Sequence, residues 1–327
     1  MTGSGTHNDA MAWSSARVVV TGAAGFIGRW VARKLTGRCG ALHLFVRDAD
    51  RADRVFERWG VTGVRHCLDL THFDAVRRQI EAIKPAVVLN LAGYGVDRTE
   101  QDKSLAYQIN ENLVGAIAEA LAEHRDRAWG GCCLIHTGSA LEYGDADGNL
   151  REDTEPKPTT LYGLSKRAGT RRLTQVCQSR DVPGCTIRLF TVYGPGENKA
   201  RLLPTLLAAR AGNGPIDLSA GLQQRDFTYV EDVADGLLRI APMTTGCGEV
   251  INLATGRLTS VRRFVEIAAS VLGIDRRRLR FGAIATRAEE MRHQPVCVDR
   301  LRRLVHWTPS TSIEQAVALT GRFMETP

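Results

Sequence analysis

The sequence has no apolar segment that approaches the roughly 18 consecutive residues of a membrane-spanning helix. Its first 16 residues are polar and lack the basic and then apolar pattern of a secretory signal. We therefore interpret residues 1–16 as a disordered tail and expect no membrane association.

Metal-binding and disulfide patterns are also missing. The eight cysteines form no C-x-x-C pair and have no histidines at metal-ligand spacing. Several of them lie inside apolar runs, which indicates buried, reduced thiols in a cytoplasmic protein. We therefore predict no metal site. The cysteines are Cys39, Cys67, Cys132, Cys133, Cys177, Cys185, Cys247 and Cys297.

The positive charge of the chain is not concentrated in one segment. Lys and Arg number 43 against 36 Asp and Glu, which gives a formal net charge of +7. A dense basic block with interleaved aromatic residues, as in nucleic-acid-binding proteins, is absent. The excess charge suits small anionic ligands such as nucleotides, and we predict no nucleic-acid partner.

Short apolar runs alternate with helical patterns from Arg17 to about Phe190. This alternation indicates β-α-β units and an α/β fold with a doubly wound parallel sheet, the Rossmann arrangement. The predicted strands are 17–21, 42–46, 61–68, 86–91, 132–137 and 185–190, and the predicted helices are 26–37, 50–59, 71–83, 101–124 and 160–181. Ligands of such sheets bind at the carboxyl ends of the strands.

The alternation ends after residue 190, where Gly- and Pro-rich turns separate shorter segments. We interpret the last third as a smaller α/β layer that closes over the strand ends. Because no linker divides it from the rest, we expect two interleaved domains. The dinucleotide-binding domain comprises 17–190 and about 224–255, and the substrate-binding domain comprises 191–223 and 256–327.

A glycine turn connects the first predicted strand to the first predicted helix. Gly22 suits the tight turn, Gly25 lets the backbone approach phosphates, and Gly28 lets the helix pack against the strand. The helix N-terminus then offers free N–H groups to a pyrophosphate. The predicted cofactor contacts of this turn are Gly22, Ala24, Gly25, Phe26, Ile27 and Gly28.

Three further residues are suited to proton transfer. Tyr162 and Lys166 have i, i+4 spacing, which places them on one face of a predicted helix. A tyrosine titrates near ~10, and we expect the lysine cation, helped by an oxidised nicotinamide, to lower this pKa. Ser139, just after the fifth strand, offers a hydroxyl to the same substrate oxygen. We predict that these three residues are catalytic.

In combination these motifs resemble an extended short-chain dehydrogenase/reductase of the nucleotide-sugar epimerase, dehydratase and reductase group. The resemblance extends from about Arg17 to the C-terminus. Its motifs are Thr21–Gly28, Asp69, Asn90-Leu91-Ala92-Gly93, Asn112-Leu113-Val114-Gly115, Ser139 with Tyr143-Gly144, Tyr162 with Lys166, Arg188-Leu189-Phe190 with Tyr193-Gly194-Pro195, Arg225-Asp226-Phe227, Val230-Glu231-Asp232-Val233, and Leu304 with Trp307-Thr308-Pro309. By analogy it implies a homodimer formed through the helices at 101–124 and 160–181.

The resemblance also implies residue roles. Cofactor contacts beyond the glycine turn are expected at Asp69, Leu70, Leu91, Ala92, Gly93, Asn112, Tyr162 and Lys166. Nucleotide-sugar contacts are expected at Tyr94, Ser139, Ala140, Thr191, Arg225 and Arg292. Arg225 and Arg292 would hold the diphosphate, with a surface salt bridge as the alternative for each. A packed loop aromatic is the alternative for Tyr94.

The predicted reaction depends on a few positions. Ala140 and Leu141 replace the Asp-Glu pair that 4,6-dehydratases share, so dehydration is not expected. Arg47 stands where NAD-preferring members carry an acid and suits a 2′-phosphate, which favours NADP(H). The neighbouring Asp48 leaves NAD(H) open.

These observations favour an NADPH-dependent reductase of the C4 carbonyl of a nucleotide-diphosphate 4-keto-6-deoxyhexose. An NAD-dependent nucleotide-sugar 4-epimerase is the alternative, although Thr191 replaces the Asn that is usual in 4-epimerases. A cofactor-sensing binding protein and a reductase of phenolic ketones are two further interpretations. The first conflicts with the intact Tyr162 and Lys166, and the second fits the Arg225 motif less well.

Overall fold

The computed structural model describes residues 13–97, 99–285 and 294–325. In chain order the strands are β1 (Arg17–Thr21), β2 (Ala41–Val46), β3 (Val64–Cys67), β4 (Val87–Asn90), β5 (Leu134–Ser139), β6 (Gly184–Leu189), β7 (Thr191–Tyr193), β8 (Ile216–Leu218), β9 (Gln224–Arg225), β10 (Phe227–Tyr229), β11 (Glu249–Leu253), β12 (Thr259–Ser260) and β13 (Leu279–Phe281). The strands through β6 match the predicted ones, but β3 is shorter because residues 61–63 precede it as loop.

The helices alternate with these strands over the first two thirds of the chain. They are α1 (Phe26–Leu35), α2 (Ala49–Trp59), α3 (Phe73–Ile83), α4 (Lys103–Tyr107), α5 (Leu113–His124), α6 (Leu161–Arg180), α7 (Leu202–Ala209), α8 (Val230–Ile240), α9 (Val261–Leu272), α10 (Asp299–Val305) and α11 (Ile313–Glu325). A π-helical turn (Gln108–Asn112) joins α4 to α5, and a 3₁₀ turn (Ala140–Glu142) follows β5.

Within the described residues the main sheet has seven strands in the order β3-β2-β1-β4-β5-β6-β11. All neighbouring pairs are parallel. The chain runs outward from β1 to β3 and then returns to β4 on the other side of β1. The connections that leave β1 and β4 therefore lead in opposite directions, and a crevice opens between these two strands at the carboxyl edge of the sheet. The predicted doubly wound Rossmann sheet is confirmed.

Helices cover both faces of this sheet because its central strands are apolar on both sides. In β1, Val18 and Val20 pack into a core shared with α1, α2 and α8, whereas Val19 packs into a core shared with α3, α5 and α6. All three valines are fully buried. The alternation of side chains along β1 thus fixes the strand between two helical layers.

The segment after β6 builds small two-stranded sheets and helps complete the large one. The pairs β7–β10 and β8–β13 are parallel, and β9–β12 is antiparallel. Helix α9 packs against α7 and α11, whereas α8 packs against α1 and β11 joins the main sheet. The proposed division into two interleaved domains assigns α8 and β11 to the dinucleotide-binding part.

Two of the last four residues of the expected disordered tail are packed, Trp13 and Ala16, whereas Ser14 and Ser15 are exposed. Trp13 is 4% exposed, and its ring lies 5.4 Å from that of Trp129. Ala16 is also buried, so the expectation of disorder is wrong for residues 13–16. Burial of a large indole against a second one explains why this polar-looking segment is ordered.

All eight cysteines are free thiols. Four of them are buried in the two cores on either face of the sheet: Cys132 and Cys185 in one, and Cys133 and Cys177 in the other. Among the described residues, no helix is long and apolar enough to span a membrane. The same residues contain no group of three or more His, Cys, Asp or Glu side chains placed to hold a metal ion.

Candidate active site

The glycine turn between β1 and α1 is held closed by its own backbone. Gly22 has a positive φ of 62°, and the N–H of Gly25 donates to its carbonyl at 2.8 Å. A Cβ atom on Gly28 would lie 2.1 Å from that same carbonyl oxygen. The turn therefore requires glycine at both ends, at Gly22 for the left-handed backbone and at Gly28 for the close approach.

The N-terminus of α1 fits a pyrophosphate. Its N-cap, Gly25, is exposed and supplies no side-chain hydrogen bond to the helix. The N–H groups of Phe26, Ile27 and Gly28 belong to the first turn, where an α-helix has no internal acceptors for them. Ala24 and Phe26 are half-buried beside this turn. An exposed glycine cradle at a helix N-terminus matches the phosphate part of a dinucleotide cofactor.

Thr21 and Asn90 connect the glycine turn to the end of β4. The Thr21 hydroxyl donates to Asn90 Oδ1 at 2.7 Å and accepts from the N–H groups of Leu91 and Ala92 at 3.1 and 3.2 Å. The predicted segment of Leu91, Ala92 and Gly93 thus lies beside Gly22. From the sequence, Thr21 was named only as the first residue of the glycine motif and was assigned no contact, although its position at the last residue of β1 was a usable signal.

Three polar residues surround the expected adenosine end of the cofactor. Arg47 is exposed at the end of β2, close enough to Asp69 after β3 for its charge to lower the pKa of that carboxyl. The main cause of the lowered pKa is hydrogen bonding from Thr71, whose N–H lies 2.9 Å from Asp69 Oδ1. Leu70 is half-buried next to it. Asp48 instead caps α2 by accepting from the N–H of Arg51 at 2.9 Å.

Ser139, Tyr162 and Lys166 meet at the carboxyl end of β5. The Ser139 hydroxyl is close enough to the Tyr162 phenol to lower the pKa of that phenol. Lys166 is 2% exposed, and its Nζ atom donates to the Thr137 carbonyl at 2.9 Å. The same Nζ lies 5.9 Å from the centre of the Tyr162 ring. The structure thus brings together the three residues that the sequence singled out.

The pKa values of this group differ from the expectation. Burial and the Glu142 carboxylate raise the pKa of Tyr162 above its ordinary value, while the Ser139 hydroxyl acts in the opposite direction. Desolvation of the phenolate is the largest of these effects, and it opposes the lowering expected from Lys166 and an oxidised nicotinamide. Burial lowers the pKa of Lys166 to about 8, and Glu142 counteracts this.

A buried ion pair that the sequence analysis missed lies beneath Ser139. Glu142 and Arg188 are 0% and 3% exposed, and their side chains are 3.1 Å apart. The guanidinium of Arg188 also lies 4.4 Å from the centre of the Tyr143 ring. Tyr143 in turn donates to Asn252 Oδ1 on β11 at 2.8 Å. The matched motifs at 143–144 and 188–190 thus connect β5, β6 and β11 below the site.

Asn110, and not the predicted Asn112, reaches the site. The amide of Asn110 accepts from the Tyr94 N–H at 3.1 Å and donates to Ser165 Oγ at 2.9 Å. Asn112 is exposed. The π-helical turn explains the correction, because its wider winding changes which side chains of 108–112 face inward. Sequence spacing alone assumed a regular helix through 101–124.

The loop that carries Tyr94 covers Tyr162. A Cβ atom on Gly95 would lie 3.2 Å from the Tyr162 ring. Glu100 accepts from the Gly95 N–H at 2.8 Å, and the Tyr94 hydroxyl accepts from the Asp102 N–H at 3.3 Å. The Tyr94 side chain thus helps to hold the loop together, which agrees with the alternative that it is a packed loop aromatic. It stays half-buried at the cleft.

The remaining predicted substrate contacts lie on several elements. Ala140 is buried in the 3₁₀ turn, and Thr191 begins β7 with its N–H donating to the Asp226 carbonyl at 3.0 Å. Arg225 is half-buried on β9, with Nη1 2.6 Å from the Gln224 carbonyl. Arg292 lies outside the described residues.

Asp226, the residue after Arg225, uses its acidic side chain to bind a neighbouring loop. Its buried carboxylate accepts from the N–H groups of Thr255 at 2.9 Å and Arg257 at 3.1 Å. Burial raises the pKa of Asp226, and these hydrogen bonds act against the rise. Asp226 thereby joins the strand that carries Arg225 to the loop that follows β11.

Comparison with known proteins agrees with this geometry. A model of the NAD dependent epimerase/dehydratase family matches residues 18–254. The chain is 27% identical over 316 residues to a dTDP-6-deoxy-L-talose 4-dehydrogenase (NAD(P)(+)) from Kitasatospora kifunensis, covering 92% of this chain and 93% of that protein. It is 24% identical over 315 residues to a UDP-glucuronate 4-epimerase from Thermodesulfobacterium geofontis, covering 92% and 94%.

A solved structure shares both sequence and fold with this chain. MoeE5 in complex with UDP-glucose and NAD is 26% identical, with a TM-score of 0.78 over 94% of this chain and 98% of that one. The 94% of this chain that the similarity covers includes most of the main sheet and of the segment after β6. The matched family and the relatives support the suspected group of nucleotide-sugar epimerases, dehydratases and reductases.

Proposed function

Because this chain belongs to the NAD dependent epimerase/dehydratase family, we propose that it is an NADPH-dependent reductase of the C4 carbonyl of a nucleotide-diphosphate 4-keto-6-deoxyhexose. The observation that carries the proposal is the close approach of Ser139 and Tyr162 beside the buried Lys166, whose Nζ atom lies 5.9 Å from the centre of the Tyr162 ring. Two hydroxyls at one point can hold a single carbonyl oxygen.

The position of Glu142 argues against water elimination. That reaction needs an acid and a base in addition to Tyr162, and Ala140 and Leu141 supply neither. Glu142 is the nearest carboxylate in sequence, but Ser139, Thr170 and Arg188 occupy its two oxygens. Its carboxylate is therefore committed to the protein and not free for the substrate.

The residues of the site have distinct roles in the proposed reduction. Ser139 and Tyr162 hold the C4 oxygen, and Tyr162 gives its phenolic proton to that oxygen. Lys166 stabilises the tyrosinate that results, as a cation close to the ring. A bound nicotinamide would supply the hydride for the C4 carbon. The raised pKa of Tyr162 keeps the phenol protonated at neutral pH, which suits a proton donor.

Cofactor preference follows from the ends of β2 and β3. Arg47 is exposed there, and its guanidinium suits a 2′-phosphate. Asp48, which would favour a ribose 2′-hydroxyl, caps α2 instead. These two observations support NADP(H) over NAD(H). The relative from Kitasatospora kifunensis carries NAD(P)(+) in its name, which is compatible with either cofactor.

Substrate contacts are proposed along the cleft above β5 and β6. Arg225 would hold the diphosphate, and Thr191, Ala140 and Tyr94 would border the sugar. The half-buried state of Arg225, Thr191 and Tyr94 fits side chains at the wall of a cleft. The relative from Kitasatospora kifunensis is named for a 6-deoxyhexose and for chemistry at C4, and both parts of that name support the proposed substrate.

A nucleotide-sugar 4-epimerase that uses NAD is the second candidate. The specific support is the similarity to the UDP-glucuronate 4-epimerase and to MoeE5, whose structure holds UDP-glucose and NAD. The same Ser139, Tyr162 and Lys166 would then serve oxidation followed by reduction. Thr191 favours the reductase, since 4-epimerases usually carry Asn at the matching position.

A homodimer is proposed through the surface formed by α4, α5 and α6. Leu164, on the first turn of α6, contributes an exposed apolar side chain to this surface. Light scattering on the purified protein tests this: a mass near 72 kDa, twice the 35.8 kDa of one chain, agrees with the dimer, and a mass of one chain contradicts it.

The decisive experiment measures nicotinamide absorbance after a freshly generated nucleotide-linked 4-keto-6-deoxyglucose is added to the purified enzyme. NADPH and NADH are compared in parallel. Stoichiometric loss of NADPH absorbance that Tyr162→Phe abolishes is the expected result. No consumption, together with NAD released on denaturation, would overturn the reductase and favour the 4-epimerase.

A further inference from the structure

Glu142 is the carboxylate that lies closest to the catalytic group without touching solvent. It is fully buried. Its Oε1 atom accepts from the Ser139 N–H at 2.8 Å, and its Oε2 atom accepts from Thr170 Oγ1 at 2.9 Å and from Arg188 Nε at 3.1 Å. Glu142 therefore joins the end of β5, where Ser139 lies, to α6 and β6 at one point.

Local helix capping explains only part of this arrangement. Ser139 and Glu142 form a capping box around the 3₁₀ turn, in which the Ser139 side chain accepts from the Leu141 N–H at 3.2 Å. Glutamine serves this motif as well as glutamate. Burying a charged carboxylate is costly even when it is paired. The charge itself thus needs a reason beyond the cap.

We propose that Glu142 is a positioning residue for proton transfer, which fixes the backbone of Ser139 and provides a negative charge beside Tyr162 and Lys166. This inference rests on the proposed function, because it takes these residues as the proton-transfer group. Glu142 acts through them and does not touch the substrate.

The charges around the group are consistent with this role. Glu142 raises the pKa of both Tyr162 and Lys166. The first effect keeps the phenol protonated for donation, and the second keeps the ammonium charged despite its burial. The groups that face Tyr162 are Ser139, Glu142, Lys166, Glu100 and Arg201; those that face Lys166 are Tyr162, Glu142 and the buried His136; and those that face Glu142 are Ser139, Thr170 and Arg188.

Three variants separate charge from hydrogen bonding. Glu142→Gln keeps the size and the capping ability and removes the charge. Thr170→Val removes one hydrogen bond to Glu142 and leaves the charge in place. Glu142→Asp keeps the charge but is one methylene shorter, so it weakens the contact with the Ser139 N–H. It also gives a second test should Glu142→Gln fail to fold around the unpaired Arg188.

Two readouts are measured for each variant. The first is the pH at which kcat falls to half on the alkaline side. The second is the near-ultraviolet absorbance of tyrosinate during a pH titration with NADP⁺ bound, taken as the difference from the same protein carrying Tyr162→Phe. The second readout needs no sugar substrate, so it decides this inference even when the proposed reductase activity is absent.

We expect Glu142→Gln to move both midpoints to lower pH by about one pH unit, because loss of the negative charge eases formation of the tyrosinate and weakens retention of the Lys166 proton. Thr170→Val should leave both midpoints in place, and Glu142→Asp should lower kcat without moving them. Unchanged midpoints in a folded Glu142→Gln variant would overturn the proposal. Equal movement in Thr170→Val or Glu142→Asp would also overturn it, since the charge would then not be the cause.

Discussion

The ammonium of Lys166 donates a hydrogen bond to the backbone carbonyl of Thr137, at a distance of 2.9 Å. Thr137 lies on β5 two residues before Ser139, so this bond ties α6, which carries Lys166, to the strand that ends at Ser139. Because the acceptor is a backbone carbonyl, no substitution of the Thr137 side chain removes this bond. Its remaining hydrogen-bond capacity stays available to a ligand.

The charge of Lys166 should limit activity at alkaline pH. Burial lowers its pKa to about 8, so the cation that stabilises a developing tyrosinate is lost as the pH rises through that value. We expect the kcat for carbonyl reduction to fall above about pH 8. A pH–rate profile at saturating NADPH measures this. A constant kcat up to about pH 10 would contradict the role of the lysine cation.

Arg47 should determine the preference between the two nicotinamide cofactors. A charge-assisted hydrogen bond to a phosphate contributes about 1.5–3 kcal/mol, so Arg47→Ala should weaken NADPH binding by roughly 10- to 100-fold and leave NADH binding unchanged. Fluorescence titration measures both. Arg38→Ala is the matched control, because Arg38 is an exposed arginine beyond the far end of α1. Equal weakening of both cofactors would argue against contact with the 2′-phosphate.

Gly28 should tolerate no side chain. Its Cβ would lie 2.1 Å from the Gly22 carbonyl oxygen, so Gly28→Ala must displace either the glycine turn or α1. We expect a loss of about 1–3 kcal/mol in the free energy of unfolding and at least tenfold weaker cofactor binding, measured by denaturant titration and fluorescence. Gly214→Ala is the control, since nothing lies within 4 Å of a Cβ there.

Glu197 should make the protein less stable as the pH rises. Burial raises the pKa of this carboxyl from 4.5 to about 7, and Arg201 opposes the rise. The folded protein therefore favours the protonated form, and stability present below about pH 4.5 is lost progressively up to about pH 7. At about 1.4 kcal/mol per pKa unit, the loss amounts to about 3 kcal/mol at most.

Glu197→Gln removes this loss because the amide does not ionise. Its unfolding free energy relative to the parent protein should increase between about pH 5 and about pH 8. Denaturant titrations at the two pH values measure the difference. Glu57→Gln, an exposed position on α2, should show no such trend. A pH-independent difference for Glu197→Gln would mean that the buried carboxyl is not protonated in the folded state.

Local signals in the sequence predicted the sheet, the glycine turn and the Tyr162–Lys166 pair. The period of apolar residues reveals strands and helices, and i, i+4 spacing fixes which side chains share a helix face. Gly28 could be recognised as well, because the close approach it permits lies within one strand–turn–helix unit. These features need no knowledge of distant parts of the chain.

The missed features depend on tertiary contacts. Glu142 gains its importance from Thr170 and Arg188, which lie 28 and 46 residues away. Asn110 replaces Asn112 because of a π-helical turn, which apolar periodicity does not reveal. The pKa of Tyr162 follows from burial beneath the loop at Gly95. Spacing alone carries no information about desolvation.

The contact between Trp13 and Trp129 has a practical consequence for attaching this protein to a support. Trp13 precedes β1 and thus lies at the amino edge of the parallel sheet, whereas Ser139 and the glycine turn lie at the carboxyl ends of their strands. The five residues of β1 separate these edges by roughly 15 Å. A tether placed next to Trp13 would therefore leave the carboxyl edge facing away from the surface and open to a large ligand.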